Sequence, residues 1–144
     1  FRVESNGNIN MLFVDAYGGT KVQQDQAIDL AYFAIEQLNP RLQNVDIEIN
    51  IGKHSSEGGC IRLGDREFEI EIDSDLTGDD FVTCIFHEMV HVSQYIKKNM
   101  YERDGKTFWC GTNHSETPYL DKPWEVEAYR VQEELLGALQ TVGR

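Results

Sequence analysis

The stretch TGDDFVTCIFHEMVHVSQYIKK, residues 77–98, decides how the rest of this chain must be arranged. It begins with short polar residues that can cap a helix and continues with apolar residues on more than one face, which predicts a largely buried helix. Within it, HEMVH at residues 87–91 places two histidines four positions apart. Positions i and i+4 lie on one face of a helix about one turn apart, so both imidazoles can reach a single metal ion.

Glu88 lies beside the first of these histidines, about 100° around the predicted helix. From there it can take a proton from a metal-bound water without binding the metal itself. Two histidines next to a carboxylate would be costly to bury without a compensating charge, so an ordinary core role for them is disfavoured. Because the five letters would arise by chance in roughly one of a hundred shuffled chains, the rest of the sequence must support the metal interpretation.

Composition narrows the class of protein. The chain has 144 residues, of which 40% are hydrophobic and 3 are proline, and this predicts one domain over residues 1–144. A formal net charge of -12 disfavours direct binding of nucleic acid, which needs clustered Lys and Arg. No apolar stretch approaches the ~20 residues of a membrane helix, so no membrane association is expected. An odd count of 3 cysteines, without a CxxC pair, favours a reducing and cytoplasmic setting.

Hydrophobic periodicity predicts an α+β fold with a small mixed or antiparallel sheet. We expect an N-terminal helix, a helix that carries the two histidines, and a C-terminal helix that starts at Pro123. The helices are predicted at residues 20–38, at 77–98 and from 123 onward. The strands are predicted at residues 11–17, 45–51, 60–63 and 68–72, and the last two are expected to pair through a turn at residues 64–66. A second hairpin is predicted at residues 100–110 and a loop at 111–118.

The strand at residues 68–72 alternates apolar and acidic side chains. Phe68, Ile70 and Ile72 are expected to face the core, and the glutamates between them are expected to face solvent. A second interpretation is that this strand borders a substrate cleft and pairs with an extended peptide.

A catalytic zinc ion usually has three protein ligands and one open position, so the two histidines need a partner. A third histidine six positions after His91 is excluded, because that position is Lys97. His114 and a carboxylate of the last helix remain. Glu125 and Glu127 lie on nearly opposite sides of that helix, so only one of them can be the ligand.

The HEMVH motif followed by Glu125-Val126-Glu127-Ala128 resembles the small gluzincin-type metallopeptidases, which include minigluzincins and short predicted peptidases of phages and bacteria. The resemblance implies a zincin-like domain in which Glu125 is the third zinc ligand and Glu127 lies in the outer shell or at the surface. Several of these families have Asp or Asn after the alanine, where this chain has Tyr129. The resemblance therefore does not identify which residue hydrogen-bonds to the histidines from outside the ligand set.

SprT-like proteases are the competing relatives, and they use a third histidine instead of glutamate. Residues 104–108 are similar to a Gly-x-x-Phe element that follows their metal-binding helix. This similarity keeps His114 as an alternative ligand.

The expected chemistry is peptide-bond hydrolysis with one zinc ion per chain. Zinc held by His87, His91 and Glu125 would activate a water, and Glu88 would act as general base. The expected substrate is a peptide or protein, cleaved by an endopeptidase rather than an exopeptidase. The alternative is a non-catalytic or latent zinc-stabilised interaction or regulatory module. Three residues are candidate donors to the oxyanion of the transition state: Tyr119, His114 and Tyr129.

Overall fold

Three α-helices and seven strands form the described part of the chain, which in this computed structural model is residues 12–54 and 56–142. The predicted elements are confirmed, although Met11, the expected start of the first strand, lies outside the described residues. In chain order the elements are β1 (Leu12–Gly18), α1 (Lys21–Leu38), β2 (Val45–Gly52), β3 (Gly58–Gly64), β4 (Glu67–Asp73), α2 (Gly78–Ile96), β5 (Met100–Arg103), β6 (Lys106–Trp109), β7 (Thr112–Asn113) and α3 (Pro123–Val142), with a 3-10 turn (Tyr119–Asp121) before α3.

The strands form one mixed sheet and one antiparallel sheet. The mixed sheet has the order β1-β2-β4-β3, in which β2 is parallel to both β1 and β4, and β3 is antiparallel to β4. The second sheet has the order β5-β6-β7. Its last strand corrects the prediction of a plain loop at residues 111–118, because Thr112 and Asn113 pair with β6. Two residues are too short a strand for a periodic pattern to reveal.

β4 is an inner strand of the mixed sheet, and this overturns its proposed pairing with a substrate. It pairs with β2 on one side and β3 on the other, so its backbone groups are already used along both edges. The predicted alternation is confirmed, since Phe68, Ile70 and Ile72 are buried. Within the described residues, β3 is the strand at this margin of the sheet.

α1 begins with the predicted cap at Thr20. The Thr20 hydroxyl accepts from the backbone N–H of Gln23, whose side chain in turn accepts from the backbone N–H of Thr20. This capping box satisfies two backbone donors that the first turn would leave unpaired. The apolar face of the helix then packs into the core through residues that include Ala27, Ala31 and Ala34.

α2 lies at the centre of the core, where the mixed sheet, α1 and α3 all contact it. Its buried residues run almost without interruption from Phe81 to Gln94, as the apolar composition of the stretch predicts. α3 packs against it, and Ala128 of α3 is fully buried. A small residue at that position allows two helices to approach closely. The packing brings the first turn of α3 to the middle of α2.

No helix within residues 12–54 and 56–142 combines the length and the apolar character that a membrane span requires.

Candidate metal centre

The two histidines of the HEMVH motif lie on one face of α2. His87 and His91 are each 7% exposed, and their ring centroids are 4.9 Å apart. Glu88, between them in sequence, is 6% exposed. Three ionisable side chains are therefore buried together, an arrangement that is costly unless charges compensate one another.

Glu125 supplies a carboxylate to this group from the first turn of α3. Its Oε1 lies 2.8 Å from Nε2 of His87, and its Oε2 lies 3.3 Å from Nε2 of His91. One potential ligand atom from each of the three residues lies within 4.8 Å of the other two. The buried group of His87, His91 and Glu125 could hold a metal ion.

The geometry of this group suits a tetrahedral ion. Bonds of about 2.0–2.1 Å to nitrogen and oxygen place the ligands of tetrahedral zinc roughly 3.3 Å apart. The observed separations of 2.8 and 3.3 Å are close to that value, so binding needs only small side-chain movements. A hydrogen bond between an imidazole nitrogen and a carboxylate needs a proton between the two atoms, and a metal ion would replace that proton.

Gln94 determines which nitrogen of His91 faces the candidate ion. Its Nε2 donates to the backbone oxygen of Trp124 and to Oε1 of Glu127, both at 3.0 Å. The amide oxygen therefore faces Nδ1 of His91, at 2.8 Å. Because an amide oxygen only accepts, Nδ1 of His91 is the donor, and Nε2 is left as the ligand atom.

Gln132 has the same relation to His87. Its Oε1 lies 2.7 Å from Nδ1 of His87, which leaves Nε2 directed at Glu125. These two glutamines are the outer partners that the sequence analysis did not identify. The available signal was spacing, since Gln94 follows His91 by three residues and Gln132 follows Glu125 by two helical turns, which places each on the side of the site.

The other candidates for the third ligand lie elsewhere. Glu127 is half-buried and accepts from Gln94 instead of approaching the histidines. His114 contacts Thr117 through Nδ1 at 3.1 Å, and its ring packs edge-on against Trp124. His114 also does not line the cleft described below.

The two tyrosines that were predicted as donors are at the site. The Tyr119 hydroxyl donates to Oε1 of Glu125 at 3.1 Å. Burial raises the pKa of Tyr119, and its contacts with Tyr129 and Glu125 raise that pKa further, so the hydroxyl keeps its proton and remains a donor. The ring of Tyr129 packs on His87 with 4.5 Å between centroids.

The charges of the group depend on one another. Burial alone would raise the pKa of Glu125, but hydrogen bonds from His87 and His91 outweigh it and lower that pKa to about 2. Burial alone would lower the pKa of His91, but the neighbouring carboxylates of Glu125 and Glu88 raise it above its ordinary value. Burial raises the pKa of Glu88, partly offset by the two histidines. The site thus holds Glu125 firmly as an anion and Glu88 less so.

β3 passes close to α2 at Gly58. A Cβ atom at this position would lie 2.6 Å from Sγ of Cys84 and 3.0 Å from Oε2 of Glu88. Only glycine fits there without a shift of those atoms. The Cys84 thiol also donates to the backbone oxygen of Glu57 at 3.4 Å, and burial raises its pKa to about 12. The thiol is therefore an inert packing group.

An open cleft runs across the site in two halves. We call the cavity of about 360 Å³ beside Ser56 and Glu57 the loop-side half, and the cavity of about 300 Å³ beside β5 and β6 the hairpin-side half. Both are lined by Gly58, His87, Glu88 and Tyr119, so the two halves meet at the candidate metal centre.

Fold and site together define an α+β protein with a buried two-histidine, one-glutamate group that could hold a metal ion. Comparison with protein-family models, with curated proteins and with solved structures found no match to this chain.

Proposed function

We propose that this protein is a zinc-dependent metallopeptidase of the small gluzincin type, with a zincin-like fold and endopeptidase activity. One observation carries the proposal: His87, His91 and Glu125 converge in an open cleft, and Glu88 lies beside them. The gluzincin resemblance supports the choice of Glu125 as ligand, and the donor set of two imidazoles and a carboxylate is typical of catalytic zinc.

The residues of the chain divide the chemistry among them. Zinc bound to this group would supply a water of lowered pKa and polarise the substrate carbonyl. Glu88 would accept the proton of the attacking water and deliver it to the leaving amine. The water oxygen first bonds to the carbonyl carbon, and the carbon–nitrogen bond then breaks as the amine leaves with the proton from Glu88.

Tyr119 is the candidate that best fits the oxyanion donor. Its hydroxyl is already at the metal centre, bonded to Glu125, and its side chain lines both halves of the cleft. In the proposed mechanism, this hydroxyl donates to the oxygen of the tetrahedral intermediate. Tyr129 serves as a packing partner that holds the His87 ring in place.

The proposal is tested by separating zinc binding from hydrolysis. We expect about one zinc per purified chain by elemental analysis. Glu88→Gln should keep the zinc and lower the cleavage of a peptide library by at least about 100-fold, because the general base is lost. His87→Ala should lose both. A zinc-free wild-type protein, or a Glu88→Gln variant with full cleavage, would refute the proposal.

A zinc-stabilised interaction or regulatory module is the second candidate. It is supported by the location of the ligands on two helices, so that an ion would link the middle of α2 to the start of α3. For this candidate, Glu88→Gln leaves the biological activity intact, whereas His87→Ala removes it together with the zinc.

A further inference from the structure

Three carboxylates line the cleft in addition to those at the candidate metal centre. Glu57 and Asp80 line the loop-side half, and Glu102 lines the hairpin-side half. Within residues 12–54 and 56–142, neither half has a Lys or Arg in its lining. The cleft is therefore negative over its whole length.

Zinc would not neutralise these carboxylates. Its two positive charges balance those of Glu88 and Glu125, and the histidines bind it as neutral imidazoles. The charges of Glu57, Asp80 and Glu102 would remain. Clefts that are lined by one sign of charge raise the local concentration of ligands of the opposite sign.

Glu102 is the carboxylate best placed to contact a substrate side chain. It lies on β5 opposite Thr107 of β6, and both residues line the hairpin-side half. After burial, the charge of Glu102 is the main influence that raises the pKa of Tyr95, which lines the same half. The side chain is thus close enough to act on the interior of the cavity.

No ion pair in the described part of the chain uses Glu102. Two cations, Arg62 and Lys98, border a neighbouring depression together with Glu102, but they lie 3.5 and 3.9 Å from Asp65. The hairpin-side half also contains Tyr95 and Met100, whose apolar surfaces suit the methylene stem of a long basic side chain.

We propose that the cleft selects cationic peptides, and that Glu102 binds the Lys or Arg side chain of a substrate residue in the hairpin-side half. The inference rests on the proposed peptidase function for the identity of the ligand. It adds the specificity that the active-site motif alone leaves open.

The first test is cleavage of a peptide library with blocked N-termini. Zinc-loaded protein should favour Lys or Arg at one position close to the scissile bond. Glu102→Gln should reduce that preference by roughly fivefold, and Glu102→Lys should replace it with a preference for Asp or Glu. Glu36→Gln, an exposed residue of α1 that does not line the cleft, changes net charge equally and should leave the preference intact.

The second test is binding without turnover. Zinc-loaded Glu88→Gln protein should bind a Lys-rich peptide more tightly than its Glu-rich counterpart by calorimetry, and added salt should reduce the difference. Adding Glu102→Gln should weaken binding of the Lys-rich peptide by roughly fivefold, with an unchanged melting temperature as evidence of folding.

The outcomes distinguish this inference from the function on which it rests. Cleavage without a basic preference, a preference that Glu102→Gln does not change, or cleavage restricted to peptides with a free N-terminal amine overturns the inference and leaves the peptidase proposal standing. Absence of cleavage together with charge-selective binding refutes the peptidase proposal alone. Equal binding of the two peptides refutes the inference whether or not cleavage occurs.

Discussion

Two glutamines orient the histidines of the candidate metal centre. Gln94 and Gln132 accept from the Nδ1 atoms of His91 and His87, and so leave both Nε2 atoms directed at Glu125 and the candidate metal centre. Gln94 is 1% exposed and fixed by three hydrogen bonds, so its orientation depends on the packing of α2 against α3.

Replacement of these glutamines should weaken zinc binding without removing a ligand. We expect Gln94→Leu and Gln132→Leu each to lower zinc affinity about 10–100-fold, because the imidazoles lose the acceptors that fix their tautomer. The measurement is competition with a chelator of known affinity. Gln140→Leu, an exposed position on α3, is the matched control and should bind zinc normally. Unchanged affinity in both site variants would show that the outer hydrogen bonds are dispensable.

The close approach of β3 to Glu88 can be tested at Gly58. Gly58→Ala should reduce hydrolysis while zinc is retained, since the new methyl group displaces Glu88 or Cys84, at a cost of about 1–3 kcal/mol in the free energy of unfolding. Kinetics, zinc analysis and denaturant unfolding are the measurements.

Two further variants make that prediction specific. Gly59→Ala is the control, because its Cβ would meet nothing closer than Glu71 Oε1 at 3.7 Å. Adding Cys84→Ala to Gly58→Ala removes the sulfur contact and should restore part of the lost stability. Equal effects at Gly58 and Gly59 would contradict the steric explanation.

The N-terminal caps of α1 and α2 differ. Thr20 makes a full capping box, whereas Thr77, the corresponding residue of α2, makes no side-chain hydrogen bond to its helix. α2 starts instead with Asp79 and Asp80 in its first turn, where negative charge interacts favourably with the helix dipole.

The same substitution should therefore have different effects at the two helices. Thr20→Ala is expected to cost about 1 kcal/mol in the free energy of unfolding, because the backbone N–H of Gln23 loses its acceptor. Thr77→Ala is expected to cost much less. Denaturant unfolding of both variants is the measurement, and equal losses at the two positions would rule out the hydrogen-bonded cap as the cause.

Periodicity and turn signals predicted the elements and both hairpin pairings, β3 with β4 and β5 with β6, but not the parallel pairings of β2. The alternation in β4 identified a strand with one buried face, but an inner strand and an edge strand can share that pattern. Which neighbours β4 has is decided by the path of the chain through β2 and β3. The short β7 escaped prediction because pairing with β6, not its own sequence, creates it.

In the folded molecule, the candidate metal centre brings together α2 and α3, which are far apart in sequence. The candidate ligands come from α2 and α3, with a hairpin and a loop between them. An ion bound at this junction favours the folded state over the unfolded state, where the ligands are dispersed.

Zinc should accordingly stabilise the fold. At a free concentration about 100-fold above its Kd, zinc should add about 2.7 kcal/mol, which corresponds to a rise in Tm of roughly 5–10 °C for a domain of this size. Thermal unfolding with zinc and with a chelator is the measurement. His87→Ala should abolish the rise and His114→Ala should preserve it, since only His87 belongs to the group. The same rise in the His87→Ala protein would place the zinc elsewhere.

The amino-acid sequence alone was enough to predict the part of the candidate metal centre that lies on one helix. His87, Glu88 and His91 are fixed relative to one another by the geometry of a single helix, and the elements follow from short-range periodicity and caps. The tertiary structure decided everything that crosses between elements: Glu125 over Glu127 and His114 as the third member of the group, the two glutamines behind the histidines, and the carboxylates that line the cleft. Helical geometry is set by neighbouring residues, whereas these contacts arise only when packing brings distant segments together.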